Sequence, residues 1–452
     1  MMKNLIFLEL TKNLQLSGTL PTQIGRLSAL NYLILTESPI SGVIPTEFGL
    51  LTSLKKLSIT MTGISGTLPT ELYNLKNITE ITLAMNYLSG PFPTHLASLT
   101  TLEILSLKNN GFNGELSPSI GNLISLESID LQGNKLSGSI PFQLGNLTKL
   151  QYLNLIVNQF DGNLPQEIGN LKHLTELWLS ANALCGTIPT TWGKLKSLVA
   201  LYLQNNMLSG TIPYELSNIK TLKTLVISNN LISYYDPRLL TIPALEEFDV
   251  SSNEIAGNYE DIMEYFPTPN LLEIDVSHNQ ITGRVKNGNW LNVQQVSLSH
   301  NSLTGELPSP LIAPKIKSLD FSFNNFSGSI PTFSNLLFLT LLNLQNNYLE
   351  GTIPEFCSLQ NLQELYINNN YLTGIIEDNF PVSLHLLWIH SNNITGTIPA
   401  FMGKLTYLEF LDMSSLDLCG CIPPEWQKEE WITCNFKGIS HNCSCAFPPN
   451  CV

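Results

Sequence analysis

One period constrains this chain more than any other feature. Leu-x-Leu pairs, each preceded by Leu-x-x, have their first members at Leu33, Leu57, Ile81, Leu105, Ile129, Leu153, Leu177, Leu201 and Leu225, so the position advances by 24 at each of eight successive steps. Leu8 precedes the series, and Phe248, Ile274, Val296, Leu319, Leu342, Leu365, Leu387 and Leu411 continue it in steps of 22 to 26. That makes 18 repeats between about Leu5 and Pro423. A length of 452 residues would ordinarily suggest about three domains, but one such repeat cannot bury its own apolar face, and stacked neighbours must supply the partner surface. The expectation is therefore a single α/β solenoid over 1–423, with irregular repeats near 231–292, followed by a cap over 424–452.

The stretch Leu198 to Pro213 shows how one repeat works. Leu201 and Leu203 alternate with Ala200 and Tyr202, the period-2 pattern of a half-buried strand. Leu198, Leu201, Leu203, Leu208 and Ile212 are expected to point inward, leaving a parallel sheet on the concave side and short 3-10 or irregular segments on the convex side. Asn206 then turns the chain, because its carboxamide can donate and accept hydrogen bonds in a tight buried bend. Fifteen of the 18 repeats have Asn there, and Ser38, Thr62 and Leu416 are the exceptions. Pro213 cannot donate and fixes φ, so it ends the second short strand.

The motif Leu-x-x-Asn-x-Leu-x-Gly-x-Ile-Pro, complete to the proline in examples such as Gly66-Thr-Leu-Pro69, Gly138-Ser-Ile-Pro141, Gly210-Thr-Ile-Pro213 and Gly396-Thr-Ile-Pro399, resembles the plant-type leucine-rich repeat. That class includes receptor-kinase ectodomains, receptor-like proteins and polygalacturonase-inhibiting proteins. The resemblance implies a horseshoe or superhelix that binds ligands on its curved face. The segment Cys419-Gly-Cys-Ile-Pro-Pro-Glu-Trp426 also looks like the last repeat of kinetoplastid surface-antigen leucine-rich-repeat proteins. Plant receptors begin with a cysteine-bearing cap, whereas this chain starts almost inside a repeat. The departure carries the expectation of a fragment, with any signal peptide or anchor lying outside it.

Composition narrows the partners. The chain has 22 Lys+Arg against 36 Asp+Glu, a formal charge of 22 − 36 = −14, which argues against nucleic acid, since that affinity rests on clustered cations. No apolar run approaches the roughly 18 residues of a membrane span, so no membrane insertion is expected of this segment. Six cysteines, Cys419, Cys421, Cys434, Cys443, Cys445 and Cys451, crowd the C-terminal end of the chain and suggest a disulfide-stapled cap of undetermined pairing. A zinc site on Cys421, Cys434, Cys443 and Cys445 is the rival. Cys185 is expected to be a free thiol at the flank, and Cys357 a small buried hydrophobe in a core leucine slot. Five sequons, at Asn77, Asn146, Asn325, Asn393 and Asn442, fit an exported glycoprotein. Asn77 and Asn146 are expected to be placed alike, before a strand on the outer edge.

Function is expected on the outward positions of x-Leu-x-Leu-x. The residue between the two leucines gives two aromatic pairs, Trp178 with Tyr202 and Tyr366 with Trp388, and exposed aromatics are common interface anchors. Between these pairs lie Glu246, Glu247, Asp249, Glu254, Glu260, Asp261, Glu264, Glu273 and Asp275, with no Lys or Arg from 239 to 283. Asp320 follows in the same column. The same region loses the Gly-x-Ile-Pro rule, and irregular repeats often carry inserted loops that bind. The candidate ligand is a protein, peptide or glycan of basic character, steered by this charge; a solvated irregular joint is the alternative. His278, His300 and Asp275 supply at most three metal ligands with nothing to orient them, so neither a metal nor a cofactor is expected. Phosphate-loop, dinucleotide, zinc-protease and serine-hydrolase signatures are missing from the sequence, and no enzyme is expected. The leading reading is an extracellular or cell-surface recognition module, as a receptor ectodomain in signalling or a secreted binder. A structural surface antigen or adhesion protein is the rival, and an inhibitor of a secreted polysaccharide hydrolase a further alternative.

Overall fold

A computed structural model describes residues 4–266, 268–419, 422–428 and 431–437. They form two compact units, 1–242 and 243–452.

In the first unit, ten short parallel strands pair in sequence order, from Phe7–Thr11 through Ala200–Tyr202 to Thr224–Val226. Their register is the repeat itself: Leu8 opposes Leu33, Leu33 opposes Leu57, and Leu177 opposes Leu201. From Leu33 to Leu225 these residues are fully buried. A buried Leu side chain contributes roughly 1.5–3 kcal/mol, so each coil gains most of its stability from the coils beside it. A second ladder of ten strands, Gly18–Thr19 to Leu231–Tyr235, runs along the flank. A short 3-10 helix closes each repeat, as at Phe142–Asn146 and Tyr214–Asn218.

Local chemistry explains the motif. The glycine of Leu-x-Gly adopts positive φ, +79° at Gly66 and +76° at Gly210, where a side chain would be strained. Pro213 has φ −71° and stands immediately before its 3-10 helix. A Cβ on Gly121, inside one such helix, would lie 2.6 Å from the Gln143 carbonyl oxygen of the next coil, so glycine sets how closely these helices stack.

The asparagine ladder forms as expected. The Asn206 Nδ2 donates to the carbonyls of Leu203 (3.0 Å) and, one coil back, Leu179 (3.1 Å), while its Oδ1 accepts from Leu184 N–H at 3.1 Å. Where Thr62 replaces Asn, its hydroxyl donates to Asn86 Oδ1. The residue preceding the ladder position has positive φ in every repeat, for example Met85 (+56°), Asn205 (+59°) and His278 (+51°). Sequence patterning carries no sign of this, because these left-handed positions are mostly not glycine.

Among the described residues of the second unit, nine parallel strands, Glu247–Asp249 to Thr433–Asn435, form the main sheet, and eight form the flanking ladder. The last main strand goes beyond the repeats counted from the sequence: Cys434 pairs with Leu411 and is buried in its place. Trp431, Cys434 and Phe436 repeat the spacing of Leu408, Leu411 and Met413. Five successive coils here, from Ile274 to Leu387, are slightly shorter than the regular coil of the first unit. Among the described residues none of them carries a 3-10 helix; shortening has removed that segment.

This shortening corrects one expectation. In the regular repeat the core residue lies three positions after the proline, as Leu216 follows Pro213. In the shortened repeat Phe356, two after Pro354, is buried, and Cys357 is a free, exposed thiol. In the long repeat between Phe248 and Ile274, part of the acidic stretch folds into a helical turn, Tyr259–Ile262, where Tyr259, Ile262 and the following Met263 are buried.

Candidate functional site

The main-sheet face turned away from the core displays the outward side chains of every strand. In the second unit, Asp249, Asp275, Ser297, Asp320, Asn343, Tyr366, Trp388 and Asp412 occupy successive strands of one row, in register.

The acidic residues divide between two settings. Glu247 opposes Glu273 and Asp249 opposes Asp275 on adjacent strands. These four carboxylates line a depression of about 190 Å³ with Gln295 and Ser297. Glu260 and Asp261 instead occupy the first turn of the small helix, where its N-terminal N–H groups favour negative charge. Glu254 and Glu264 are exposed outside the depression.

Within the depression, Asp275 Oδ1 accepts from Ser277 N–H at 2.8 Å, and Asp249 Oδ1 accepts from Ser251 N–H at 2.9 Å. Burial pushes the Asp275 carboxyl above its ordinary range; the Asp249 charge adds to this, and the hydrogen bonds from Ser277 and Ser297 oppose it. Gln295 Nε2 donates to Glu273 Oε1 at 2.9 Å. Asp320 lies outside the depression and is tied up locally, accepting from Ser322 Oγ at 2.6 Å and Asn343 Nδ2 at 3.1 Å.

Further along, Tyr366 and Trp388 meet edge to face with ring centroids 5.2 Å apart. Tyr366 Oη donates to Glu364 Oε2 at 2.9 Å, and burial together with Glu364 pushes the phenol pKa upward. Asn368, two residues after Tyr366, is 2% exposed. Sequence reasoning missed it; the available signal was its outward position beside two large rings.

The first unit holds the other aromatic pair. Trp178 and Tyr202 lie 4.8 Å apart, and Tyr152 adds a third ring 6.2 Å from Trp178. Trp178 Nε1 donates to Glu176 Oε2 at 3.1 Å.

The remaining expected residues are placed as follows. His278 and His300 stack at 3.9 Å, and Phe323 continues the stack at 4.0 Å. All three are left-handed residues preceding ladder asparagines. Burial, then His278, depresses the His300 pKa, against the pull of Asp320. Among the described residues no group of three or more His, Cys, Asp or Glu is arranged to hold a metal, and no helix is long and apolar enough to cross a membrane.

Asn77, Asn146, Asn325 and Asn393 are exposed. Asn77 and Asn146 are not equivalent, however: Asn146 ends a 3-10 helix, whereas Asn77 lies three positions later in its repeat and donates to the Thr52 carbonyl at 2.9 Å. Asn325 and Asn393 each begin a flanking strand. Cys185 is a free thiol. Cys419 is also free and exposed, against the expected staple; Cys434 is disulfide-bonded. Cys421, Cys443, Cys445, Cys451 and Asn442 lie outside the described residues.

Comparison with known proteins agrees with this geometry. A leucine-rich-repeat region model matches residues 130–234. A leucine-rich-repeat model matches 101–123, 292–312, 315–336, 338–359, 361–382 and 383–405. No curated protein sequence matches the chain.

Among solved structures, the ectodomain of the Arabidopsis thaliana membrane receptor kinase GASSHO1/SCHENGEN3, in complex with Casparian strip integrity factor 2, is similar over 99% of this chain and 57% of its own, at 30% identity and TM-score 0.86. The plant peptide hormone receptor RGFR1 in complex with RGF2 is 31% identical over 94% of this chain and 77% of its own, with TM-score 0.75. The Arabidopsis receptor kinase HAESA, in complex with the peptide hormone IDA and the co-receptor SERK1, is 30% identical over 93% and 76%, with TM-score 0.80. The chain belongs to the leucine-rich-repeat family, with repeats of the plant type. It spans a little over half the length of the first of these ectodomains.

Proposed function

We propose that this chain is an extracellular recognition module that binds an extended peptide or protein segment of basic character along the outward face of its main sheet. Recognition, not catalysis, is its role. The observation that carries the reading is the depression in which Glu247, Asp249, Glu273 and Asp275 face one another in register, in a chain whose structural relatives are peptide-hormone receptor ectodomains. Paired carboxylates on adjacent strands repel one another, and a Lys or Arg side chain would relieve that repulsion. Fixed charge of one sign also accelerates encounter with an oppositely charged partner. The strands hold these groups at fixed intervals, so little ordering cost falls on the receptor when it binds.

The test uses linear peptides selected from a random display library against the immobilised chain. Selected sequences should be enriched in Lys and Arg, and their on-rates should fall with added salt. Neutralising Glu247→Gln, Asp249→Asn and Asp275→Asn together should lower the on-rate on the order of tenfold and flatten the salt dependence. On-rate and salt response left at wild-type values would sink the charge-steering part of the reading.

A further inference from the structure

The two tryptophans of the outward row occupy the same position in their repeats but differ in what surrounds them. Trp178 has Glu176 two residues before it and donates its indole N–H to that carboxylate at 3.1 Å. Trp388 has Leu386 there instead, and its Nε1 is sealed from solvent with no hydrogen-bond partner. The residues two positions past Trp178 and Tyr366 differ in the same sense. Ser180, 3% exposed, donates to Gln204 Oε1. Asn368, 2% exposed, gives its Nδ2 to Gln345 Oε1 at 3.2 Å, but its Oδ1 has no partner and is equally sealed. The second unit therefore holds an unused donor and an unused acceptor on adjacent coils, beside the paired strands Glu364–Tyr366 and Leu386–Trp388 and next to one pair of aromatic rings.

A buried polar atom left unpaired is costly, and one that persists calls for an explanation. Neither atom can pair with water without movement of the groups that cover it. The T-shaped contact of Tyr366 and Trp388 is the movable element, because Leu386 offers Trp388 no polar tether and both rings are part-exposed.

The geometry points to a backbone clamp: Asn368 Oδ1 and Trp388 Nε1 take the N–H and the C=O of one residue in an extended peptide when the ring pair swings open. In an extended chain a residue's own N–H and C=O leave the same edge, and the two orphan groups are the complementary acceptor and donor. Such a clamp reads main chain, not side chain. It fixes the ligand's register over this strand pair, while specificity for charge resides in the carboxylate depression. The inference rests on the peptide-binding reading above.

Its test takes peptides selected from the same library and measures their affinity for the wild-type chain, Trp388→Phe and Asn368→Ala. Each variant should weaken binding about tenfold, the usual scale for one buried hydrogen bond. A series of the same peptide, N-methylated at one residue at a time, should show one position where methylation costs a similar factor on the wild type and adds no further loss on Asn368→Ala. Wild-type affinity in both variants, together with a methylation scan free of any sensitive position, would overturn the clamp and leave peptide recognition standing. Failure to select any peptide would overturn peptide recognition and the clamp with it. The methylation scan on the wild-type chain decides the matter even if either variant folds poorly.

Discussion

The first unit keeps one coil length almost without exception and closes each coil with a 3-10 helix. Across Ile274 to Leu387 the second unit uses shorter coils and, among the described residues, dispenses with that helix. The outward face changes in parallel. Trp178 and Ser180 are satisfied by Glu176 and Gln204, whereas Trp388 and Asn368 retain unpaired buried atoms, and four carboxylates gather in one depression. The comparison separates two requirements. Stacking demands the ladder and the inward leucines, which both units keep. The proposed ligand recognition would draw on groups that the fold alone leaves unfulfilled.

The most disruptive way to probe this division is through what the units share. Asn230 donates to the Leu203 and Ile227 carbonyls at 3.1 Å and accepts from Leu208 N–H at 2.9 Å. Asn392 does the same with Ile367, Ile389 and Leu372, at 3.0 Å each. Asn230→Ala and Asn392→Ala each remove three hydrogen bonds to backbone groups and should lower stability by about 3 kcal/mol, measured by denaturant unfolding. A large loss at one site and none at the other would break the claim of a common scaffold.

A smaller effect should separate the two tryptophans. Trp178→Phe removes a hydrogen bond to Glu176 and should cost about 1 kcal/mol, whereas Trp388→Phe removes an unpaired donor and should leave the melting temperature unchanged or higher. Equal losses at both positions would mean that Trp388 Nε1 has a partner in solution.

The smallest effect is electrostatic. Asp275 has a folded-state pKa raised above its ordinary value, first by burial and then by Asp249. The folded state then binds more protons than the unfolded state between the ordinary and the raised pKa, so stability falls as pH rises through that window. Asp275→Asn should therefore raise the melting temperature modestly at pH 7. The difference should fade once the pH drops below the ordinary carboxylate range. A stabilisation that persists at acid pH would point to a cause other than charge.

Much of the fold was legible because the repeat is redundant. The Leu-x-Leu register and the asparagine ladder recur along nearly the whole chain, so a single irregular copy hides neither. What escaped were features that depend on an offset or a neighbour. Cys357 moved out of the core because a shortened coil brought Phe356 into the inward slot. Cys434 lies in the last described strand of its unit, although cysteine in place of leucine disguised the spacing of Trp431, Cys434 and Phe436. The long repeat's acidic residues looked like one patch, but Tyr259 and Ile262 drew part of the stretch into a packed helical turn. Trp178 and Trp388 looked alike in their column. Their difference lies two residues upstream, in Glu176 against Leu386, where a carboxylate can reach an indole and an aliphatic chain cannot.

The ladder has a consequence for how such a chain can change. Each asparagine fastens its coil to the one before at a single bend beside the main strand, so length gained or lost elsewhere in the circuit does not alter the pitch there. Shortened and lengthened coils consequently present their outward side chains in the same register as regular ones. Insertions and deletions can thus accumulate on the side opposite the main sheet while the reading frame of its outward face stays intact.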